Sequence, residues 1–196
     1  MKKSVVAIFI SLMSIATWAV EAPKWEKYSI TFPAHGAGTL GVNFSYLGKN
    51  YPVPDKGQVV PLEKKKKGTT DIEESFVANV VAQNAAGDRG GILKLWSASE
   101  RLAIEAMMGS KDAFERNGAF FRNIESTRLI SVMRYGTYYL FVVEHEVKGI
   151  GPYMKLYAAL LEGEAYLMTN GLKGDVFYEK IVPDLLPYVK DSRLGK

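Results

Sequence analysis

The stretch RLISVMRYGTYYLFVVEHEV, residues 128–147, carries the strongest strand signal in the sequence. Both halves are rich in β-branched and aromatic residues, and Gly136 lies between them, so the stretch predicts two strands joined by a tight turn. Further strands are predicted at residues 153–161 and 165–169, which a Glu-Gly-Glu turn connects. The carboxyl-terminal half therefore predicts an antiparallel sheet of at least four strands, with residues 119–124 as the entry to it.

The hydrophobic period before this sheet is that of helices. Thr70 and Glu73 have the spacing of a capping box, apolar residues follow at helical intervals, and Gly87 suits a left-handed helix end. The sequence thus predicts a long helix from about Thr70 to Ala86. Three shorter helices are predicted after it: residues 89–96, a helix that a capping box at Ser97 opens, and residues 110–117, ended by Gly118.

The chain before the helices has strand character. Residues 28–32 and 40–46 alternate between apolar and polar side chains and can pair as a hairpin, whereas residues 47–51 have the glycine and asparagine of a turn. We therefore predict a β-rich amino-terminal extension that lies on the main domain. His35, in the loop of this hairpin, is interpreted as an exposed turn residue rather than a ligand-binding one.

The predicted fold class is α+β, with amino-terminal helices packed on a curved antiparallel sheet of at least four strands. The predicted organisation is a signal peptide (1–19), the β-rich extension (20–61), a Lys-rich linker (62–69), the helix-then-sheet domain (70–189) and a frayed tail (190–196). The last helix of the domain is predicted near residues 175–186, with an interruption at Pro183.

The first residues predict export. Lys2 and Lys3 precede an apolar run at residues 5–15, and residues 17–19 suit cleavage after Ala19. A retained anchor is the alternative, but the run is shorter than the roughly 20 residues of a spanning helix. We therefore expect a periplasmic or secreted chain without a transmembrane segment in its mature part.

Composition excludes several classes of site. The chain has no cysteine, which rules out disulfides, thiol nucleophiles and lipidated cysteine, and its two histidines are far apart in sequence. We therefore expect no metal site and no cofactor. Loss of Lys2 and Lys3 lowers the net charge from +4 to +2, which gives no indication of a nucleic-acid partner.

A run of four lysines is the clearest break in composition. Lys64, Lys65, Lys66 and Lys67 repel one another, so a solvated linker is the simplest interpretation. Weak contact with anionic lipid or with an acidic partner is the alternative, and salt would screen it.

The helical region also resembles a known superfamily. A long helix, a break at Asn84-Ala85-Ala86-Gly87-Asp88 and a short helix ending at Trp96 resemble the nuclear transport factor two-like superfamily, over roughly residues 70–181. The resemblance implies a cone-shaped cystatin-type fold with a pocket between the helices and the sheet. It does not select a chemistry, because that superfamily includes enzymes and non-catalytic domains, and this chain lacks an Asp on its central strands.

Glu144-His145-Glu146 is the strongest candidate for acid–base chemistry in the sequence. In a regular strand, His145 shares a face with Tyr139 and Phe141, while the two glutamates point to the other face. A catalytic His145 would thus need a partner from elsewhere.

The residues predicted to contact a ligand are Tyr139, Phe141, His145 and Tyr157, with ordinary core packing as the alternative. Arg128 and Arg134 are predicted to share a face of their strand, where they either grip an anion or remain solvated.

Three functions remain open. The first is an exported, non-catalytic binding domain for a small apolar ligand or a protein partner. The second is a proton-transfer enzyme that uses His145 and a tyrosine, and the third is a periplasmic inhibitor or immunity-type protein. An enclosed His145, a cavity of roughly 300 Å³ or more, and an exposed apolar patch are the respective signs of catalysis, ligand binding and partner binding.

Overall fold

A computed structural model describes residues 23–32, 42–51, 58–60, 71–175 and 178–179. Within these residues, four helices and a seven-stranded antiparallel sheet form an α+β fold. The fold class predicted from the sequence is confirmed, as is the expectation of at least four antiparallel strands.

The elements follow one another as three strands, four helices and four strands. The strands are β1 (Trp25–Phe32), β2 (Val42–Asn50), β3 (Gln58–Val60), β4 (Ile124–Tyr135), β5 (Tyr138–Val147), β6 (Gly151–Glu162) and β7 (Ala165–Met168). The helices are α1 (Ile72–Ala86), α2 (Arg89–Lys94), α3 (Arg101–Met107) and α4 (Lys111–Arg122). The sheet order is β1-β2-β4-β5-β6-β7, and β3 also pairs with β4.

The amino-terminal strands belong to the main sheet. β1 and β2 form the predicted hairpin, but β2 continues through residues 47–50, which the sequence predicted as a turn, and pairs there with β4. The predicted order of helices before sheet, with the β-rich segment as an extension, is therefore not confirmed. Alternation of side chains identifies a strand, but it does not reveal which distant strand will pair with it.

Helix α1 matches its predicted end and differs at its start. Gly87 has a φ of 66° and forms the left-handed end, with its amide donating to the Asn84 carbonyl. At the start, the Asp71 side chain accepts a hydrogen bond from the Glu73 amide, so Asp71 is the N-cap. Thr70, the predicted cap, lies outside the described residues.

Helix α4 extends beyond its predicted end at Gly118. It begins after Ser110 and runs to Arg122, so the strand predicted at residues 119–124 begins only at Ile124. A Cβ at Gly118 would lie 3.0 Å from the Arg122 Nη1 atom and 3.7 Å from the Asn84 carbonyl oxygen. Gly118 therefore lies within a continuous helix where α4 contacts α1, and it does not end the helix.

The third helix begins later than the capping box at Ser97 predicted, since Glu100 is its N-cap. The Ser97 amide instead donates to the Met168 carbonyl oxygen at the end of β7. The Glu100 carboxylate accepts hydrogen bonds from the Thr169 hydroxyl at 2.9 Å and the Asn170 amide at 2.8 Å. These bonds attach the start of α3 to the end of the sheet.

The main core lies between the sheet and helices α1 and α4. On β5, Tyr139, Phe141 and Val143 point into this core, whereas Leu140 and Val142 join a smaller cluster on the other face of the sheet. The helices contribute Phe76, Val77, Val80, Val81 and Phe121 to the main core. The alternation predicted for β5 from its sequence is therefore confirmed.

Strand β4 is irregular at Ile130. The register with β5 shifts between Leu129 and Ser131, so that Ile130 is an additional residue in the ladder. Leu129 and Val132 consequently both point into the main core, although three positions separate them. Relative to a regular strand, this bulge reverses the facing of residues 126–129, and a second register shift follows between Ile124 and Ser126.

The bulge makes the predicted placement of the two arginines wrong. Arg128 forms an ion pair with Glu144, which lies on the face opposite His145. Arg134 lies instead over the ring of Tyr139, at 5.7 Å from its centroid, and thus on the core-facing side. The two guanidinium groups cannot grip one ligand, because they lie on opposite faces of the sheet.

Several predictions fall outside the described residues. These are the signal peptide (1–19), His35, the linker (62–69) with its four lysines, the interruption at Pro183 and the tail (190–196). Within the described part of the chain, none of the helices has both the length and the apolar character needed to cross a membrane.

Candidate functional site

A cavity of about 370 Å³ lies between the helices and the strands β6 and β7. Its wall is mostly apolar and includes Ile92, Ile104, Met108, Phe114, Phe121 and Met168. The polar side chains in the wall include Asn84, Asn117, Lys155, Tyr157, Thr169, Asn170 and Tyr178. A wall of this composition can hold an apolar molecule and fix its orientation through a few polar contacts.

The cavity exists because β7 is short. β7 pairs with β6 only at residues 159–162, and Thr169 adds one further bond to the Ala158 carbonyl. Along Gly151 to Tyr157, no described strand pairs with the outer side of β6. Helices α3 and α4 lie over this region, and Glu100 attaches α3 to the end of β7.

His145 is fully buried directly behind the cavity wall. Its Nδ1 atom is 2.9 Å from the Thr127 hydroxyl, and its Nε2 atom is 2.9 Å from the Tyr157 hydroxyl. Thr127 is the cross-strand neighbour of His145 on β4, whereas Tyr157 lies on β6, four residues beyond Tyr153, which is the cross-strand neighbour of His145 on that side. A neutral imidazole satisfies both contacts, since it donates through one nitrogen and accepts through the other.

The environment keeps this pair of rings uncharged. Burial, and secondarily the nearby Lys155 ammonium, lowers the pKa of His145 to about 4. Burial, and secondarily Tyr153, raises the pKa of Tyr157 above its ordinary value of 10. Thr127, His145 and Tyr157 therefore form a neutral hydrogen-bonded series at pH 7 that ends at the cavity.

Lys155 is the cationic side chain of the cavity wall. It alternates with Tyr153 and Tyr157 on the face of β6 that the helices cover. Its Nζ atom lies 4.8 Å from the centroid of Phe121, 5.3 Å from that of Tyr157 and 5.5 Å from that of Phe120. Burial lowers the pKa of Lys155, because the ammonium loses contact with water among these rings.

Two asparagines provide further polar groups. Asn117 of α4 donates through Nδ2 to the Asn84 Oδ1 atom at 2.7 Å, and Asn84 donates through Nδ2 to the Val80 carbonyl at 2.8 Å. This chain of bonds joins α1 to α4 beside the cavity. Among the described residues, the Asn117 Oδ1 atom has no hydrogen-bond donor, so it can accept a hydrogen bond from a molecule in the cavity.

A second polar cluster lies elsewhere, at the start of α1. Lys49 of β2 contacts the carboxylates of Asp71 at 2.6 Å and Glu73 at 3.3 Å. The Tyr51 hydroxyl donates to Asp71, and the Tyr166 hydroxyl donates to Glu73. This cluster does not line the cavity, and it attaches β2 to the first turn of α1.

The four residues predicted to contact a ligand have different positions. Tyr157 lines the cavity, and His145 lies behind it in hydrogen-bond contact. Tyr139 and Phe141 are in the core, where both rings contact Tyr166 and neither lines the cavity. His145 and Tyr157 are thus brought together, whereas Tyr139 and Phe141 pack in the main core and do not line the cavity.

Lys155 and Thr127 were not among the site residues predicted from the sequence. Lys155 had a readable signal, because it lies between Tyr153 and Tyr157 in strict alternation and a cation on an otherwise apolar strand face is unusual. Thr127 had none, since its position opposite His145 depends on the bulge at Ile130. Glu144 and Glu146 do not contact His145, as their parity predicted.

Exposed large apolar side chains occur on several different elements. They include Trp25 on β1, Ile72 on α1, Leu102 on α3, and Ile150 and Tyr153 near the turn between β5 and β6. The hypothesis of a protein partner remains a prediction. Among the described residues, no three His, Asp or Glu side chains are grouped so that they could hold a metal ion.

Comparison of this chain with protein-family models, with curated protein sequences and with solved structures gave no match. The cavity and the residues that form its wall are therefore the features from which a function can be inferred.

Proposed function

We propose that the protein is an exported, periplasmic, non-catalytic binding domain, and that its cavity holds a small, mostly apolar ligand. The observation that carries this proposal is the cavity of about 370 Å³ with its mostly apolar wall. Pockets of roughly 300–1,000 Å³ lined in this way are typical of small-molecule sites.

The neighbourhood of the cavity also supports binding rather than chemistry. His145 has no exposed surface, and both of its ring nitrogens have protein partners. It therefore positions the Tyr157 hydroxyl without reaching a bound molecule itself. Helices arranged over one face of a bulged sheet also support a cystatin-type architecture as part of this proposal, and Lys2, Lys3 and residues 5–15 support export.

A variant that fills the cavity tests the proposal. Ile104 on α3 is buried in the cavity wall, so Ile104→Trp should occupy space that the ligand needs. Leu102→Trp is the matched control, because Leu102 lies on the same helix and is 82% exposed. The measurement is mass spectrometry of small molecules released from natively purified protein.

We expect a stoichiometric molecule from the native chain and from Leu102→Trp, and much less of it from Ile104→Trp. Folding of both variants is checked by circular dichroism, since overpacking can cost about 1–3 kcal/mol. Equal retention by Ile104→Trp and Leu102→Trp would show that any bound molecule lies outside the cavity.

Proton transfer is a second candidate, and the hydrogen bond between His145 and Tyr157 favours it. Tyr157 reaches the cavity, stays protonated at neutral pH and can donate to a substrate, while burial lowers the pKa of the neighbouring Lys155. In this case Tyr157→Phe would abolish turnover of a bound carbonyl compound without preventing its binding. Unchanged turnover in Tyr157→Phe would exclude this mechanism.

A further inference from the structure

Lys155 presents a positive charge to an apolar cavity without a negative partner. Among the residues that the structure describes, no Asp or Glu carboxylate lies within ion-pair distance of its Nζ atom. Its nearest neighbours are the faces of Phe120, Phe121 and Tyr157. Aromatic faces attract a cation, but they carry no net charge.

The other groups around Lys155 do not supply that charge either. The adjoining hydrogen-bonded series ends in a neutral imidazole at His145 and a protonated phenol at Tyr157. Phe120 and Phe121 belong to the last turn of α4, whose carbonyl groups contribute a partial negative charge only. A half-buried ammonium among aromatic rings is held there at a cost unless an anion completes its surroundings.

We infer that the ligand of this cavity is a monocarboxylate with an apolar body, and that Lys155 is its counter-ion. The inference rests on the proposed function, because it names the class of ligand for the same cavity. The apolar body lies against Ile104, Met108 and Phe114, and the carboxylate lies at the β6 side, where Lys155 and Tyr157 enter the wall.

The hydrogen-bonded series fits this orientation. If the Thr127 hydroxyl donates to Nδ1 and the Nε2–H group donates to the Tyr157 oxygen, the Tyr157 proton is left to donate to a carboxylate oxygen. In this arrangement, the Thr127 hydroxyl and both ring nitrogens of His145 each have a hydrogen-bond partner. Lys155 then provides the charge, and Tyr157 provides a directed donor that His145 holds in place.

Decanoate and decan-1-ol form a suitable pair of probes, since they share a chain and differ in the head group. Their affinities are measured by titration calorimetry for the native chain, for Lys155→Met and for Lys148→Met. Methionine keeps the length of the lysine stem and removes the charge. Lys148 is the matched control, because it lies exposed just after β5, outside the cavity wall.

The native chain should bind decanoate at least about tenfold more tightly than decan-1-ol, as expected for a charged hydrogen bond. Lys155→Met should weaken decanoate binding by about 10- to 100-fold and leave decan-1-ol binding unchanged or tighter. Lys148→Met should bind both probes as the native chain does.

Equal affinity of the native chain for the two probes would overturn the inference and leave the proposed function intact. Unchanged decanoate binding in Lys155→Met would do the same. Failure of the native chain to bind either probe would instead count against the proposed function, and the inference would fall with it. The comparison of the two probes on the native chain needs no variant, so it decides the matter even if Lys155→Met fails to fold.

Discussion

At the scale of single residues, the fold holds His145 in an environment very different from water. It has no exposed surface, two hydrogen-bond partners and a pKa lowered to about 4. The folded chain therefore holds the ring neutral, whereas the unfolded chain protonates it below a pKa of roughly 6.5. The position thus has a measurable effect on the pH dependence of stability.

Since the unfolded state binds more protons between about pH 6.5 and 4, the contribution of His145 to stability is present above that interval and lost as the pH falls through it. We expect about 2 kcal/mol of this contribution to be lost between pH 7 and pH 5. Urea unfolding of the native chain and of His145→Gln at both pH values measures it. The variant should be less stable at pH 7, and its deficit should shrink at pH 5.

The native chain and the variant share all their carboxylates, so the difference between their free energies of unfolding reports the effect of the His145 ring. The same deficit at pH 7 and pH 5 would mean that His145 is not held neutral by the fold.

At the scale of elements, the contact between β2 and α1 depends on one cation. Lys49 bridges Asp71 and Glu73, and Glu73 is only 5% exposed. We expect Lys49→Met to lower the free energy of unfolding by about 2 kcal/mol, because it leaves the Glu73 carboxylate buried without its cation.

Addition of Glu73→Gln to Lys49→Met should cost less than the sum of the single changes. Lys27→Met on the exposed face of β1 is the control, with an expected change within about 0.5 kcal/mol. Strict additivity in denaturant unfolding would show that the Lys49–Glu73 contact contributes nothing to the attachment of β2.

The end of α1 provides a second test at this scale. Gly87 has a φ of 66°, whereas Gly90 is helical and has room for a Cβ, with the Asp88 Oδ1 atom 3.6 Å away. Gly87→Ala should destabilise the protein by about 1 kcal/mol, and Gly90→Ala should be neutral or stabilising by up to about 1 kcal/mol. Thermal unfolding of the two variants separates a requirement for positive φ from a general preference for glycine; a milder effect at Gly87 than at Gly90 would contradict it.

Strands β4 and β5 show when the sequence pattern is sufficient to predict which face of the sheet a side chain points to. The facing of His145 followed from strict alternation along β5, which is regular over its ten residues. The facing of Arg128 did not, because an unbroken ladder from the turn at Gly136 would place Arg128 opposite His145. The extra residue Ile130 places Thr127 there instead, and Arg128 pairs with Glu144. A bulge is one residue in a long apolar strand, and it has no distinct local signal.

At the scale of the whole molecule, long-range pairing accounts for what the sequence did not predict. The hairpin of β1 and β2 was recognised from alternation, but its attachment to β4 joins residues more than eighty positions apart. The cavity likewise depends on the shortness of β7 relative to β6 and on the bonds of Glu100 to Thr169 and Asn170. Local periodicity predicts which segments form helices and strands. The cavity between them depends on the residue at which each strand or helix ends.

We propose above that the cavity between the helices and strands β6 and β7 is a ligand site. The most direct measurement is a set of intermolecular nuclear Overhauser effects between a bound probe and methyl groups of the labelled protein. The probe is whichever of decanoate and decan-1-ol binds more tightly. We expect contacts from the methylene groups of the probe to the methyl groups of Ile104, Met108 and Met168, which line the cavity. Contacts to the exposed Ile150, or to Met133 on the other face of the sheet, with none to these three residues, would contradict it.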